Sequence, residues 1–265
     1  MARRRFFVTA IRRGMAELSG PDAEHLVRVL RAEPGQQYEI SDNRDVYLAQ
    51  IEVARKSLVS FRVLEKLPSP QPGLEIHLFA ALIKFDRFEW LIEKATELGV
   101  SSIQPFAAVR SERGLLQAAP KRLARWGKIA LEASQQARRA SLPIIEAPIS
   151  FSAALKTDAP VKLLLDESGG PPILDLLPRK DAALGPVAVL LGPEGGWTEA
   201  EREQAYATGW QGCSLGNTIL RAETAATAAL AVIQAAWMQA AGAGNIQLSD
   251  PHSENKFSSE PDTYL

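Results

Sequence analysis

The chain has 265 residues, 46% of them hydrophobic, so it can bury one sizeable core or a smaller pair. A single cysteine, Cys213, excludes an internal disulfide and a thiolate metal cluster. The formal net charge of -1 gives no global polycationic signature of nucleic-acid binding, which leaves the local distribution of charge to carry such a role.

The N-terminus, MARRRFFV, is basic but lacks the apolar run and small-residue cleavage site of a secretory signal. No stretch reaches the uninterrupted apolar length of a membrane span. A soluble, cytoplasmic protein is expected.

Residues 1–70 alternate short β-type runs with turn signals: RFFV, YEIS, VYLAQIEVA and SLVSFRVLEKL. One helix is expected among them, started by Ser19 and Asp22 and carrying Leu26, Val29 and Leu30 on one face, with Arg28 and Arg31 on the other. PSPQPG, residues 68–73, resists helix and sheet alike and predicts a domain boundary.

From residue 74 to 241 apolar strands alternate with longer helices. LEIHLFAAL is the first strand, and the helix after it places Phe85, Phe88, Ile92, Ala95 and Leu98 on one face before Gly99 ends it. SIQPF, VKLLL and PVAVLL follow as strands, separated by helices near 119–141 and 198–208, with a last alanine-rich helix over 221–241. This predicts an α/β fold with a mainly parallel sheet behind a small β domain. Residues 245–265 are polar and poor in apolar residues, which predicts a disordered tail.

Two turns carry the chemistry. PVAVLL runs into GPEGGW, and Thr198 and Glu201 then form a capping box, so strand, glycine turn and helix follow in order. Glycines at the carboxyl end of such a strand let backbone approach a ligand, although a tight connection has the same composition. Neither the Walker pattern nor the Gly-x-Gly-x-x-Gly fingerprint is present, which argues against an ATPase or a conventional dehydrogenase. About twenty residues on, CSL runs into LGNTILRAETAATAAL, a second turn before a helix.

LGPEGGWTEAE followed by LGNTILRAETA resembles the two C-terminal motifs of SPOUT methyltransferases, specifically the ribosomal small subunit methyltransferase E family. KATELGV at 94–100 and RVLRAEPGQ at 28–36 match the same family, so the likeness spans most of residues 3–240. It implies a trefoil knot in the second domain, a PUA-like RNA-binding β-barrel in the first, and a homodimer, with the small-residue helix Ala222 to Trp237 suited to the subunit contact. It also implies S-adenosylmethionine as cofactor and methylation of a uridine at N3 in 16S ribosomal RNA, probed within the small subunit or as free RNA.

Carried onto this sequence, the resemblance places Leu191, Gly192, Pro193, Glu194, Gly195, Gly196, Leu215, Gly216, Ile219, Leu220, Arg221 and Thr224 at the cofactor. Ordinary core packing is the other reading of the aliphatic members. The methyl of a sulfonium is already activated, so no metal is expected, and His25, His77 and His252 are too scattered to bind one. Methylation at N3 must remove a proton and stabilise charge on the base carbonyls, a task suited to arginine. Arg221 is the first candidate, with Glu223 and Thr224 in support; pairing of Arg221 with Glu223 is the alternative.

Arg139 is the second catalytic candidate, aligned with the arginine of the family pattern Glu-Gln-x-x-Arg. Gln135 stands where that pattern has glutamate; an amide cannot take the proton but can hydrogen-bond the base, and solvent is one acceptor the sequence leaves open. Arg5, Arg28, Arg31, Lys84, Gln135, Arg138 and Arg139 are the expected RNA contacts, extended by Arg3, Arg4, Lys121, Arg122, Arg125 and Lys128, which have little acidic balance nearby in sequence. Solvated charge is the other reading of such runs. Two further functions fit the same residues: a methyltransferase acting on transfer RNA or 23S ribosomal RNA, and a non-catalytic RNA-binding protein.

Overall fold

A computed structural model describes residues 5–68, 73–177 and 185–240. The boundary segment is therefore described only at its edges, and Arg3, Arg4, His252 and the expected tail lie outside the described residues.

The N-terminal elements are β1 (Arg5–Phe7), β2 (Ile11–Arg12), β3 (Met15–Ser19), α1 (Pro21–Arg28), β4 (Gln37–Ser41), β5 (Val46–Arg55) and β6 (Leu58–Lys66). They form a six-stranded sheet in the order β1-β4-β5-β6-β3-β2. Phe6, Ile40, Ile51, Val59 and Phe61 fill its core, and α1 closes it with Ala23 and Leu26. Register shifts between Leu48 and Ala49 and between Ile51 and Val53 interrupt the β5·β6 ladder. The sheet is a half-barrel among the described residues: β1 and β2 are its two edges, and β2 pairs with β3 alone.

The start of α1 differs from expectation. Ser19 belongs to β3, and Gly20 at φ 70 is the N-cap with no side-chain cap hydrogen bond. Pro21 supplies the pre-set φ of a first helical residue instead. The helix also ends sooner, so Val29 becomes its C-cap and is 63% exposed rather than part of the apolar face.

The C-terminal elements are β7 (Ile76–Ala81), α2 (Phe85–Glu97), β8 (Ser102–Ala107), α3 (Leu115–Ala118), α4 (Leu123–Gln136), β9 (Ile144–Ile145), β10 (Ile149–Ser150), α5 (Phe151–Ala154), β11 (Val161–Leu165), β12 (Val187–Leu191), α6 (Glu199–Ala207), β13 (Gln211–Cys213) and α7 (Ala222–Ala240). The sheet is parallel throughout, ordered β10-β8-β7-β12-β11-β13, with β9 on β8.

Its central strands are covered on both faces, as their continuous apolar runs require. In β12, Val187, Val189 and Leu191 face a core with α2, α4 and α7, while Ala188 and Leu190 face Trp197 and Trp210 on the other side. This arrangement brings the ends of β11, β12 and β13 to one edge.

The two sheets meet through the loop after α4. Arg5 donates to Glu39 through Nε at 3.1 Å and Nη2 at 2.8 Å, and Arg138 donates to the other Glu39 oxygen. Ser41 Oγ donates to the Ala140 carbonyl at 2.5 Å, and the Leu142 amide to Asn43 Oδ1 at 2.7 Å.

Candidate functional site

A cavity of about 630 Å³ lies beyond the carboxyl ends of β11, β12 and β13, within the size range of small-molecule sites. Three chain segments frame it: the turn after β12, the turn after β13, and residues 166–170 after β11.

From the first turn Leu191, Gly192, Pro193, Glu194 and Gly196 line the cavity; Gly195 does not. The glycines have a reason other than room for a ligand. A Cβ on Gly192 would lie 2.9 Å from the Trp197 indole, and one on Gly196, at φ 70, would lie 2.2 Å from Glu167 Oε1. Protein atoms therefore take the close approach expected of a ligand at these positions. Trp197 is 1% exposed and donates its indole N–H to the Leu165 carbonyl at 2.8 Å, which ties the turn to the end of β11.

The expected capping box is present: Thr198 Oγ1 accepts from the Glu201 amide at 3.3 Å, while Glu201 Oε2 accepts from the Thr198 amide at 2.9 Å. Glu201 also accepts from the Val109 amide at 2.8 Å, a tertiary contact beyond the box.

From the second turn Leu215, Gly216, Ile219, Leu220 and Arg221 line the cavity. Gly216, at φ 141, has open space where a Cβ would stand, so here backbone is free to meet a ligand. Ile219 is 85% exposed, so it is not a core residue. Arg221 is exposed immediately before α7, and no ion pair to Glu223 is present; Glu223 is buried, and its Oε2 has no hydrogen-bond partner among the described residues. Thr224 is exposed and outside the lining. Cys213 also reaches the cavity, its thiol pushed up to about 12 by burial, so it is protonated at neutral pH.

Two features of the site escaped sequence reading. Arg87, on the first turn of α2, lines the cavity and is ion-paired with Glu194. The acidic segment Asp166, Glu167 and Ser168 forms the third wall. VKLLL running into DESGG repeats the strand-then-glycine-turn pattern of GPEGG, and that signal was sufficient to find it.

The structure does not bring Arg139 to this cavity. Its guanidinium donates to the carbonyls of Thr96 and Val100, both at 2.8 Å, and of Ser141 at 3.0 Å. Burial pulls it down to about 10, so it stays charged at neutral pH while capping the end of α2.

Gln135, half-buried, lines a different hollow between α1 and α4, where its side chain meets Asp22; Arg5 and Arg138 border that hollow but are engaged with Glu39. Lys84, Arg28 and Arg31 are exposed, Arg28 beside Glu24 at 4.0 Å.

The α4 cations have more acidic balance than their sequence neighbourhood suggests. Glu89 of α2 pairs with Arg125 at 2.7 Å and Arg122 at 3.7 Å, and Glu132 with Lys128 at 3.7 Å. Among the described residues no group of His, Cys, Asp and Glu could hold a metal ion, and no helix is long and apolar enough to cross a membrane.

Comparison with known proteins points to one family. The RNA methyltransferase domain family matches residues 69–234. A ribosomal RNA small subunit methyltransferase E of Synechocystis is 34% identical over 224 residues, covering 82% of this chain and 72% of its own. The protein of the same name from Bacillus subtilis is 32% identical, covering 86% and 95%.

Among solved structures, ribosomal RNA small subunit methyltransferase E from Neisseria gonorrhoeae, bound to S-adenosylmethionine, superposes with a TM-score of 0.80 at 31% identity, covering 89% of this chain and 98% of that one. A methyltransferase from Legionella pneumophila, in complex with the same cofactor, gives the same score and coverage at 29% identity.

Proposed function

Since the chain belongs to the ribosomal RNA small subunit methyltransferase E family of RNA methyltransferases, we propose that it methylates N3 of a uridine in 16S ribosomal RNA with S-adenosylmethionine as methyl donor. The observation that carries this reading is the single cavity wall on which the open backbone at Gly216, the exposed side chain of Ile219 and the guanidinium-bearing Arg221 stand together.

The residues present fit the donor. Turn backbone around Leu191, Gly192, Leu215 and Gly216 offers amides and carbonyls to an adenine edge, and Ile219 and Leu220 offer apolar surface to its faces. Pro193 and Glu194 border the same space. When bound, the donor supplies a methyl group already activated by sulfonium charge.

What remains for the protein is alignment and charge. Arg221, on the cavity wall, would stabilise the negative charge that spreads over the uracil carbonyls as N3 gives up its proton to solvent and takes the methyl group, whose bond to sulfur breaks. Because N3 lies on the pairing edge, the uridine must be unpaired when it reacts.

In this reading residues 1–70 form an RNA-binding domain of PUA-like type, and residues 74–241 a SPOUT domain whose C-terminal segment threads a trefoil knot. The chain acts as a cytoplasmic homodimer, with α7 in the subunit contact and Lys84, Arg28, Arg31 and the α4 cations on the RNA path. Arg5, Arg138 and Gln135 serve that path from the junction of the two sheets, and Arg139 by holding the loop between them.

The deciding experiment incubates the protein with isotopically labelled S-adenosylmethionine and small ribosomal subunits lacking the modification, followed by nucleoside analysis. Label in 3-methyluridine is the expected result. Label in a ribose 2′-O-methyl group, or none in small-subunit RNA, rejects the proposal.

A further inference from the structure

Residues 166–170, the third wall of the cavity, have no regular structure and include Gly169 and Gly170 at φ 108 and 151. Such a segment loses considerable conformational entropy when held still, so something must hold it.

Arg202 does so from the opposite side of the glycine turn. On α6, its Nε donates to Asp166 Oδ2 at 2.9 Å and its Nη2 to Oδ1 at 3.1 Å, the two-point fork at which arginine excels. The same Nη2 reaches Ser168 Oγ at 2.6 Å and Glu167 Oε1 at 3.0 Å. The Arg202 side chain is 13% exposed and that of Asp166 2%, which shields the pair from solvent. Tyr206, one turn along α6, donates to Asp166 Oδ2 at 3.3 Å.

The two carboxylates of the wall differ in how fully their oxygens are engaged. Burial pushes the Asp166 carboxyl up, but the hydrogen bonds from Arg202 and the Ser168 amide outweigh it and hold the group below the usual carboxylate range. Its oxygens are fully engaged. Glu167 has only Oε1 engaged, by Arg202 and by the Trp197 amide at 3.2 Å; its Oε2 accepts no hydrogen bond among the described residues, and the residue lines the cavity.

We propose that Arg202 is a positioning residue of the donor site: through Asp166 it locks the 166–170 wall, and it presents Glu167 Oε2 to the cavity as acceptor for a donor O–H or N–H. This rests on the reading of the cavity as the S-adenosylmethionine site. A hydroxyl of the ribose and the ammonium of the methionyl end are the two groups of matching chemistry.

Calorimetric titration of the full chain tests this without any RNA. Wild type, R202K, R202A and E167Q are each titrated with S-adenosylmethionine and with 5′-methylthioadenosine, which keeps the ribose and lacks the amino-acid end. R202A and E167Q are expected to bind S-adenosylmethionine roughly tenfold more weakly or worse, about 1.4 kcal/mol, with R202K between them and wild type.

Equal losses for both ligands assign Glu167 to the ribose, and loss for S-adenosylmethionine alone assigns it to the ammonium. Millimolar guanidinium is expected to restore part of the R202A affinity, a rescue that general destabilisation does not give. If R202A does not fold, E167Q decides. Wild-type affinity in R202A or in E167Q overturns the proposal; a wild-type chain that binds neither ligand overturns the reading of the cavity beneath it.

Discussion

The indole of Trp197 fills the space that a side chain at Gly192 would need: a Cβ there would lie 2.9 Å from Trp197 Cε2 and 3.0 Å from Nε1. Trp197 cannot retreat, because it is 1% exposed, stacks on Phe106 at 6.3 Å between ring centroids, and is hydrogen-bonded to Leu165. G192A is therefore expected to lower unfolding free energy by about 1–3 kcal/mol, the ordinary cost of overpacking. Urea unfolding checks it; an unchanged midpoint contradicts the packing account.

Arg221 is exposed on the cavity wall and makes no ion pair among the described residues, so removing it should leave the fold intact. R221A is expected to keep the wild-type melting temperature and to lose about 10²- to 10³-fold in kcat, the scale for loss of one charge-stabilising donor. Single-turnover methyl transfer at saturating donor measures this. A loss confined to the donor KM moves Arg221 from chemistry to cofactor binding.

Arg139 sits elsewhere, and its prediction is of another kind. Each of its three nitrogens meets a backbone carbonyl, of Thr96, Val100 or Ser141, so R139A removes three charge-assisted hydrogen bonds, and Thr96 keeps only the Gly99 amide at 3.1 Å. A destabilisation of about 1.5–3 kcal/mol is expected, typical of lost hydrogen bonds to a charged group. Activity corrected for folded fraction should fall far less than in R221A, as parallel denaturation and transfer assays will show.

Acid sensitivity follows from Asp166. Its carboxyl is held below the unfolded value of about 4, so the Arg202 pair contributes stability that is fully present above that pH and is lost as pH falls through the folded value. D166N is expected to be less stable than wild type at pH 7 and to show a shallower loss below pH 4. Parallel slopes in the two proteins exclude Asp166 as the group responsible.

Most of the architecture was legible because long apolar runs have one favourable fate. The continuous run PVAVLL becomes a strand covered on both faces, and the spacing of Phe88, Ile92 and Ala95 becomes the buried face of α2. Local chemistry was legible too, as in the Thr198–Glu201 capping box. The start of α1 was not, because serine and aspartate near a helix signal a cap only if the backbone leaves the strand in time, and Ser19 is held in β3 by pairing with Leu58.

Side-chain partners from distant segments could not be read. Arg139, Arg138 and Arg5 carry the same charge as any RNA-binding arginine, and only the fold shows that carbonyls and Glu39 occupy them. Arg87 and Arg202 had no sequence mark separating them from surface charge, yet one lines the cavity and the other holds its wall.

The sequence by itself determined the parallel α/β sheet, the two motif-bearing turns and, through them, the family. Those depend on hydrophobic periodicity and glycine placement within short windows. Tertiary structure alone decided why Gly192 and Gly196 are glycines, that Arg87 and Arg221 face the cavity, and that Arg139 is buried among carbonyls. Those depend on groups brought together by the sheet order β7-β12-β11-β13, which sets Leu165, Leu191 and Cys213 side by side from positions far apart in the chain.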